Sequence, residues 1–449
     1  MAEIHKGFGL LFEMGCGKTL TAIMIAGTAY QMGKVEKVLV VAPTSVCSVW
    51  PKDFAEFADF KANIKVLLGD KNRRLKLLND LDNFPFKALK VAVINYESTW
   101  REGIFDALYE WNADMIICDE SQRIKSHDAE QSKAMHKLGD QAKYKLILSG
   151  TPVQNNAIDL YSQYRFLDPT IFGTNFYQFR NRYAIMGGFN RHQIVGYKDL
   201  DQLIQKEHSI AYRVTKDEAL DLPEQTFLQR YITMSAKEKN IYDRIKRESF
   251  AELESGGQIS ATTVLTKLLR LQQFTGGFLV ADGEEKPELV SKGKLNALEE
   301  IVDDYVVDAG KKLVIFARFR PEIDIIGQML KKKKLRYGEI YGDVKLEDRG
   351  GIVKDFQTNP ETMVFLAQID TAGLGITLTA ADTCVYYSVN FNYAAYSQSL
   401  ARIHRIGQKN ACTYIHLITE GTIDEVVLKA LAKKEDLAKT VVDTWRDYF

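Results

Sequence analysis

Five cysteines in 449 residues, Cys16, Cys47, Cys118, Cys384 and Cys412, are too few and too scattered for a framework of bridges. No two stand as CxxC, and Cys47, Cys118 and Cys384 lie in or beside apolar runs. That pattern excludes zinc-ribbon spacing and reads as small buried thiols in a reducing cell interior. No run of about eighteen apolar residues exists, so no membrane span and no membrane partner is expected. A basic stretch followed by an apolar one, the mark of a secretory signal, is missing at the N-terminus. An excess of one charge is missing too, because 59 Lys and Arg balance 59 Asp and Glu. The balance argues against a protein that coats nucleic acid indiscriminately, yet leaves room for a local basic groove. The densest cationic cluster, Lys331 to Lys334, closes an expected helix, where cations suit the dipole. Low-complexity tracts and internal repeats are absent. The expected location is cytoplasmic, or nuclear for a eukaryotic source.

What is present is a rhythm. At this length two domains of ordinary size are expected, or two plus an insertion. In the first third, "GFGLLF", "KVLVVAP", "IKVLLG", "LKVAVINY", "DMIICDE" and "YKLILSG" alternate with helical patterns. Strands this apolar are buried on both faces, as in a parallel sheet covered by helices. The rhythm returns from about Gly293 with "KLVIFARF", "RYGEIYG", "MVFLAQ", "DTCVYYS" and "TYIHLIT". Between them, Asp168 to Pro287 is richer in aromatic and charged residues, helical in places, and broken by Gly-Gly at 256–257 and 276–277. The expected fold class is α/β, with two doubly wound parallel-sheet lobes in tandem and helical inserts between them. The expected divisions are 1–167, 168–287 and 288–449.

In open parallel sheets, ligands bind at the carboxyl ends of the strands, and the polar motifs fall there. "FEMGCGKTL" follows the first strand. Gly15 and Gly17 free the backbone to curl its N–H groups toward phosphate oxygens. Lys18 would neutralise the β/γ-phosphates, and Thr19 would offer a hydroxyl to Mg²⁺ at a helix N-terminus. Phe12 stands where a strict P-loop has its first glycine, so this motif alone does not decide. "MIICDES" adds two adjacent carboxylates at a strand end, Asp119 and Glu120. One acid would hold Mg²⁺ and the other would orient and deprotonate a water, although acids also cap helix starts. In "LILSGTPVQNN", Ser149 and Thr151 would sense the nucleotide, unless this is an ordinary strand-to-turn junction. In "QSLARIHRIGQ", Gln398, Arg402 and Arg405 are expected on one helical stripe, with Ile403 and Ile406 packing inward. Such arginines are either a solvated face or fingers that stabilise charge on a transferring phosphoryl group. Gly373 and Gly375 in "DTAGLGITLTAAD" would allow close backbone approach.

Taken in order, these motifs resemble helicase superfamily two and, more narrowly, the Swi/Snf-related DNA translocases. "EMGCGKT", "SGTPVQNN", "DLPEQT", "AGLGITLTAAD" with "RIHRIGQ", and "LITEGTIDEVVL" carry the likeness over nearly the whole chain. The resemblance implies two RecA-like lobes, ATP and Mg²⁺ as cofactors, and double-stranded DNA gripped through its phosphates. It implies Met14, Gly15, Cys16, Gly17, Lys18, Thr19 and Leu20 around the nucleotide, with Gly373, Gly375 and Gln398 close by. Thr19 and Asp119 would hold the metal, Glu120 would be the base, and Arg402 and Arg405 the fingers. The DNA contacts it implies are Thr44, Ser45, Lys125, Arg318, Thr377 and Phe391.

Several positions depart from that family's pattern. Ser121-Gln122 follow the acids where Ala or Gly and then His are usual, Phe391 replaces a Trp, and Phe12 stands where an acid is common. The adenine-reading segment is expected upstream, while only seventeen residues precede Lys18, which implies a trimmed N-terminus and weak nucleotide affinity. The leading expectation is an ATP-driven motor that tracks duplex DNA without parting the strands. The alternatives are an unwinding helicase, a translocating subunit of a restriction or defence assembly, and a nucleotide-gated DNA clamp.

Overall fold

The computed structural model describes residues 6–154, 156–187, 193–254, 261–280, 287–374 and 376–442. The chain divides into two compact units, 1–221 with 434–449, and 222–433.

The strands of the first unit are β1 (Gly7–Phe12), β2 (Lys37–Ala42), β3 (Ala62–Val66), β4 (Leu89–Asn95), β5 (Met115–Asp119), β6 (Tyr144–Leu148), β7 (Ala184–Gly187), β8 (Gln193–Tyr197) and β9 (Ala211–Val214). Seven of them form one sheet in the order β3-β4-β2-β5-β6-β1-β9. Every pairing in it is parallel. β7 and β8 make a separate antiparallel hairpin. The apolar runs alternate between two cores, one on each face. Leu39, Val41, Ala92, Ile94, Ile116 and Cys118 enter one core, while Val38, Val40, Val91, Val93, Met115 and Ile117 enter the other. Full burial of each such aliphatic side chain stabilises the unit by about 1.5–3 kcal/mol relative to exposure. The sheet order sets β5, β6 and β1 side by side, so the loops after them are neighbours at one sheet end.

The second unit repeats the plan. Its strands are β10 (Gln225–Ile232), β11 (Phe278–Val280), β12 (Pro287–Leu289), β13 (Leu313–Ala317), β14 (Arg336–Ile340), β15 (Thr362–Gln368), β16 (Thr383–Tyr386) and β17 (Cys412–Thr419). The main sheet runs β10-β17-β16-β13-β15-β14, again wholly parallel. Leu313, Ile315, Val364, Leu366, Val385 and Leu417 fill its core. The α/β class with two parallel-sheet lobes is therefore observed.

The stretch 168–287 holds helices at Phe176–Tyr183, Leu200–His208, Ala236–Glu254 and Ala261–Thr275. It also gives an outer strand to each sheet, β9 to the first and β10 to the second. β10 reads "QTFLQRYI" and is exposed along almost its whole length, which is why it lacks the apolar look of a buried strand. Gly277 has φ +96, a left-handed turn that ends the helix before β11. The other Gly-Gly pair, 256–257, lies outside the described residues. The basic run closes the helix Arg320–Lys332, and Lys333 just beyond it pairs with Asp303 at 2.7 Å.

Candidate active site

β1 ends at Phe12, whose ring is buried in the core and meets Tyr212 edge-on at 6.4 Å. The position that a strict P-loop fills with glycine is here the last residue of a strand, and its side chain serves packing. The curl begins only after it. Gly15 and Gly17 have φ +93 and +84, and a Cβ at either would meet nothing within 4 Å. The glycines are thus required by conformation rather than by crowding. Helix α1 (Lys18–Gln31) starts from Gly17 with no side-chain cap and no acid in its first turn. Its first amides, with Lys18, Thr19 and exposed Leu20, form an anion-accepting end. Met14 and Cys16 are half-buried within the loop. Lys18 Nζ donates to the carbonyls of Phe12 at 3.0 Å and Glu13 at 3.4 Å, folding back over the loop.

Asp119 closes β5 and is buried. Trp50, the first residue of helix α2 (Trp50–Phe57), donates its indole N–H to Asp119 Oδ2 at 3.1 Å. Burial pushes the Asp119 carboxyl up to about 7, and the neighbouring Glu120 adds to this, while Lys18 and the Trp50 bond oppose it. A carboxyl so placed is suited to a divalent cation, whose charge would restore the ionised form. Glu120 follows with φ +51, an uncommon conformation for a residue with a side chain. It precedes the 3-10 turn Ser121–Ile124 but makes no capping bond to it. Its carboxylate instead accepts from Gln122 Nε2 at 2.5 Å. Gln122 Oε1 in turn accepts from Ser149 Oγ at 2.8 Å, and that Oγ accepts the Thr151 amide at 3.1 Å. One amide side chain therefore links the acid after β5 to the "SGTP" turn after β6. On the same turn Ser121 Oγ donates to Gln163 Oε1 at 2.7 Å, which anchors the loop to the buried face of a neighbouring helix.

In the second unit the arginines do not lie on one helical stripe. The helix Tyr393–Leu400 ends before them, so Gln398 is helical while Arg402 and Arg405 lie in the turns that follow. The reason lies in Gln408, whose Nε2 donates to the carbonyls of Ala381 at 2.8 Å and Ile403 at 3.2 Å. Its Oε1 accepts the amides of Lys409 and Asn410. Main-chain groups that a continued helix would pair internally are met by this side chain instead. Ile403 is buried as expected, but Ile406 is 62% exposed and does not pack inward. The turns still bring the arginines together, since both Nη1 atoms reach the Ile376 carbonyl, Arg402 at 3.3 Å and Arg405 at 3.4 Å. The Leu378 amide donates to the Arg402 carbonyl at 2.9 Å, so Thr377 sits within this cluster. Burial lowers the pKa of Arg405, and no carboxylate pairs with it among the described residues. Gly373 falls in the 3-10 turn Ile369–Leu374, and Gly375 lies outside the described residues.

The residues implied for DNA are divided between the two units. Thr44 and Ser45 follow β2, and Thr44 Oγ1 reaches Glu97 Oε2 at 3.5 Å. Lys125 ends the turn after the acids and donates to Gln154 Oε1 at 2.7 Å. Arg318 follows β13, bonds Gln272 Oε1, and lies over the Phe319 ring at 4.7 Å. Phe391 is half-buried just before the helix Tyr393–Leu400. Sequence reasoning missed Trp50 and Gln408. Trp50 had one usable signal, an apolar indole at a helix start near the sheet end, whereas nothing local marks Gln408 as a latch.

Two parallel α/β sheets, one with a lysine loop and an acid pair at its strand ends and the other with clustered arginines, form the two-lobed plan of the helicase class. The chain belongs to the SNF2-related family: the SNF2-related domain matches residues 3–276, and the helicase conserved C-terminal domain matches 293–407. An uncharacterized ATP-dependent helicase of Mycoplasma genitalium is 26% identical over 95% of this chain and 39% of its own length. The mouse chromodomain-helicase-DNA-binding protein 1-like is 28% identical over 96% of this chain and 47% of its own. The chain thus spans less than half the length of these relatives. A solved structure of the Sulfolobus solfataricus SWI2/SNF2 ATPase core in complex with dsDNA is 26% identical, covering 99% of this chain and 90% of that one, with a TM-score of 0.44. No described helix is long and apolar enough to cross a membrane.

Proposed function

We propose that the chain is a DNA-dependent ATPase that tracks along duplex DNA without separating its strands. The observation that carries this reading is the phosphate loop after β1 and the acid pair after β5, strand ends with only β6 between them, together with an arginine in the second unit that has no carboxylate partner among the described residues. Gly15, Gly17 and the first amides of α1 would receive the phosphates, with Lys18 neutralising the β/γ oxygens. Thr19 and Asp119 would hold magnesium, which when bound supplies positive charge to the transferring phosphoryl group. Trp50 keeps one Asp119 oxygen engaged and so orients the carboxylate. Glu120 would orient a water and take its proton, steered by the bond from Gln122. Arg405, with Arg402 behind it, would meet the charge that builds on the phosphoryl oxygens. Thr44, Ser45, Lys125, Arg318, Thr377 and Phe391 are the proposed DNA contacts, mostly to phosphates, which makes binding salt-dependent and largely independent of sequence. The helicase domain family, and the relatives named as ATP-dependent helicases, support this reading.

The test is steady-state phosphate release with no polymer, single-stranded DNA, duplex DNA and RNA in parallel, followed by triplex-displacement and forked-duplex assays. The expected outcome is stimulation by duplex and displacement of the third strand without fork unwinding. Efficient fork unwinding would replace the translocase with a helicase. Nucleotide-gated DNA binding with no turnover would leave a clamp.

A further inference from the structure

β9 ends one strand away from the phosphate loop, and its Arg213 points into it. The guanidinium is buried and divides its donors among three parts of the site. Nη1 donates to the Leu11 carbonyl at 2.9 Å and the Gly150 carbonyl at 3.1 Å. Nη2 donates to Glu13 Oε1 at 3.0 Å. The other Glu13 oxygen accepts the Lys216 amide at 2.9 Å, and the Glu13 amide donates to the Val214 carbonyl at 2.8 Å. Glu13 opens the phosphate loop, and Gly150 belongs to the "SGTP" turn. These two backbones run so close that a Cβ on Gly150 would stand 3.2 Å from the Phe12 carbonyl and 3.4 Å from the Met14 amide.

We propose that Arg213 is a positioning residue for the phosphate loop, and that through Glu13 it ties that loop to Val214–Lys216. That stretch starts the path along which the chain leaves the first unit, at Asp221. The proposal rests on the nucleotide reading of the loop. A planar fork can satisfy two carbonyls and a carboxylate at once, whereas an ammonium offers a point charge in one place. Both carbonyls belong to backbone that must hold still if the amides between Glu13 and Lys18 are to face phosphate. Any shift of Glu13 on nucleotide binding pulls on two bonds to Val214 and Lys216. Occupancy of the loop is thereby felt at the connector within the first unit's own framework.

The probe is fluorescently labelled ADP with Mg²⁺, titrated into the full chain and into Arg213→Lys and Glu13→Gln, with melting curves recorded in the absence of nucleotide. Glu13→Gln keeps shape and volume at a partly exposed position, so it remains informative if Arg213→Lys fails to fold. Both variants are expected to bind ADP about tenfold more weakly, the effect of one lost charge-assisted bond. A residue that merely holds the fold would change melting and leave the affinity of the folded protein alone. In the wild type, ADP should slow amide hydrogen exchange over Val214–Lys216, and Glu13→Gln should abolish that protection. Wild-type affinity in the folded variants would overturn the positioning role, and unchanged exchange over 214–216 in the ADP-bound wild type would overturn the tie. Failure of the wild type to bind ADP at all would instead remove the reading on which the proposal rests.

Discussion

Each unit buries a carboxyl beside the end of a central strand, and the two have different partners. Asp119 ends β5 in the first unit, and Glu322 lies on the helix that follows β13 in the second. Burial pushes each carboxyl up to about 7. Asp119 has a lysine and a second acid for neighbours, which suits a group that receives a cation. Glu322 turns inward, and its Oε2 accepts the amides of Arg318 and Phe319, each at 2.9 Å, and the Ser388 hydroxyl at 2.5 Å. It fixes the strand end that carries Arg318. One carboxyl is the proposed cation holder and the other braces a strand end, although burial raises both alike. No acid occurs between Thr383 and Thr419, the segment bearing both arginines.

The sharpest way to break this division is Arg405→Ala, expected to lower kcat by about a thousandfold while labelled ADP binds as before. Phosphate release and nucleotide titration check it, and an unchanged rate would mean that the two units do not share a reaction. Glu120→Gln should lower kcat by about a hundredfold or more with nucleotide binding retained, measured in the same assays. The contrast between the two carboxyls is tested by Glu322→Gln. Glu322 is raised from 4.5 to about 7, so the unfolded chain ionises first as pH rises. The stability that the neutral group provides is full below 4.5 and lost by the time the pH passes about 7. Glu322→Gln should therefore gain on the wild type over that window, reaching about 3 kcal/mol, read from denaturant unfolding at a series of pH values. Ser149→Ala, which removes the donor to Gln122, should cost about 1 kcal/mol of stability and a smaller part of kcat than Glu120→Gln.

The sheets were legible because their strands are apolar on both faces, and few other structures bury "KVLVV" or "LVIFA" so completely. β9 and β10 escaped notice for the opposite reason. One is four residues long and the other carries polar residues on an exposed edge, so neither has the signature of a central strand. The lysine loop and the acid pair were readable as local motifs, each on one short stretch. The arginine cluster was readable as residues but not as geometry. Its path is set by Gln408 capturing carbonyls at 381 and 403, a non-local event that helical spacing does not encode. Trp50 reaches Asp119 across 69 positions and Arg213 reaches Leu11 across 202, and nothing in either local sequence names its target.

The contact between Glu120 and Ser149 runs through a carboxamide, and a carboxamide neither gains nor loses a proton in water at any physiological pH. An imidazole in that place would switch its outer bond on and off near neutrality. With Gln122 the linking side chain keeps both its donor and its acceptor as the pH falls, so it adds no protonation step of its own between the two turns.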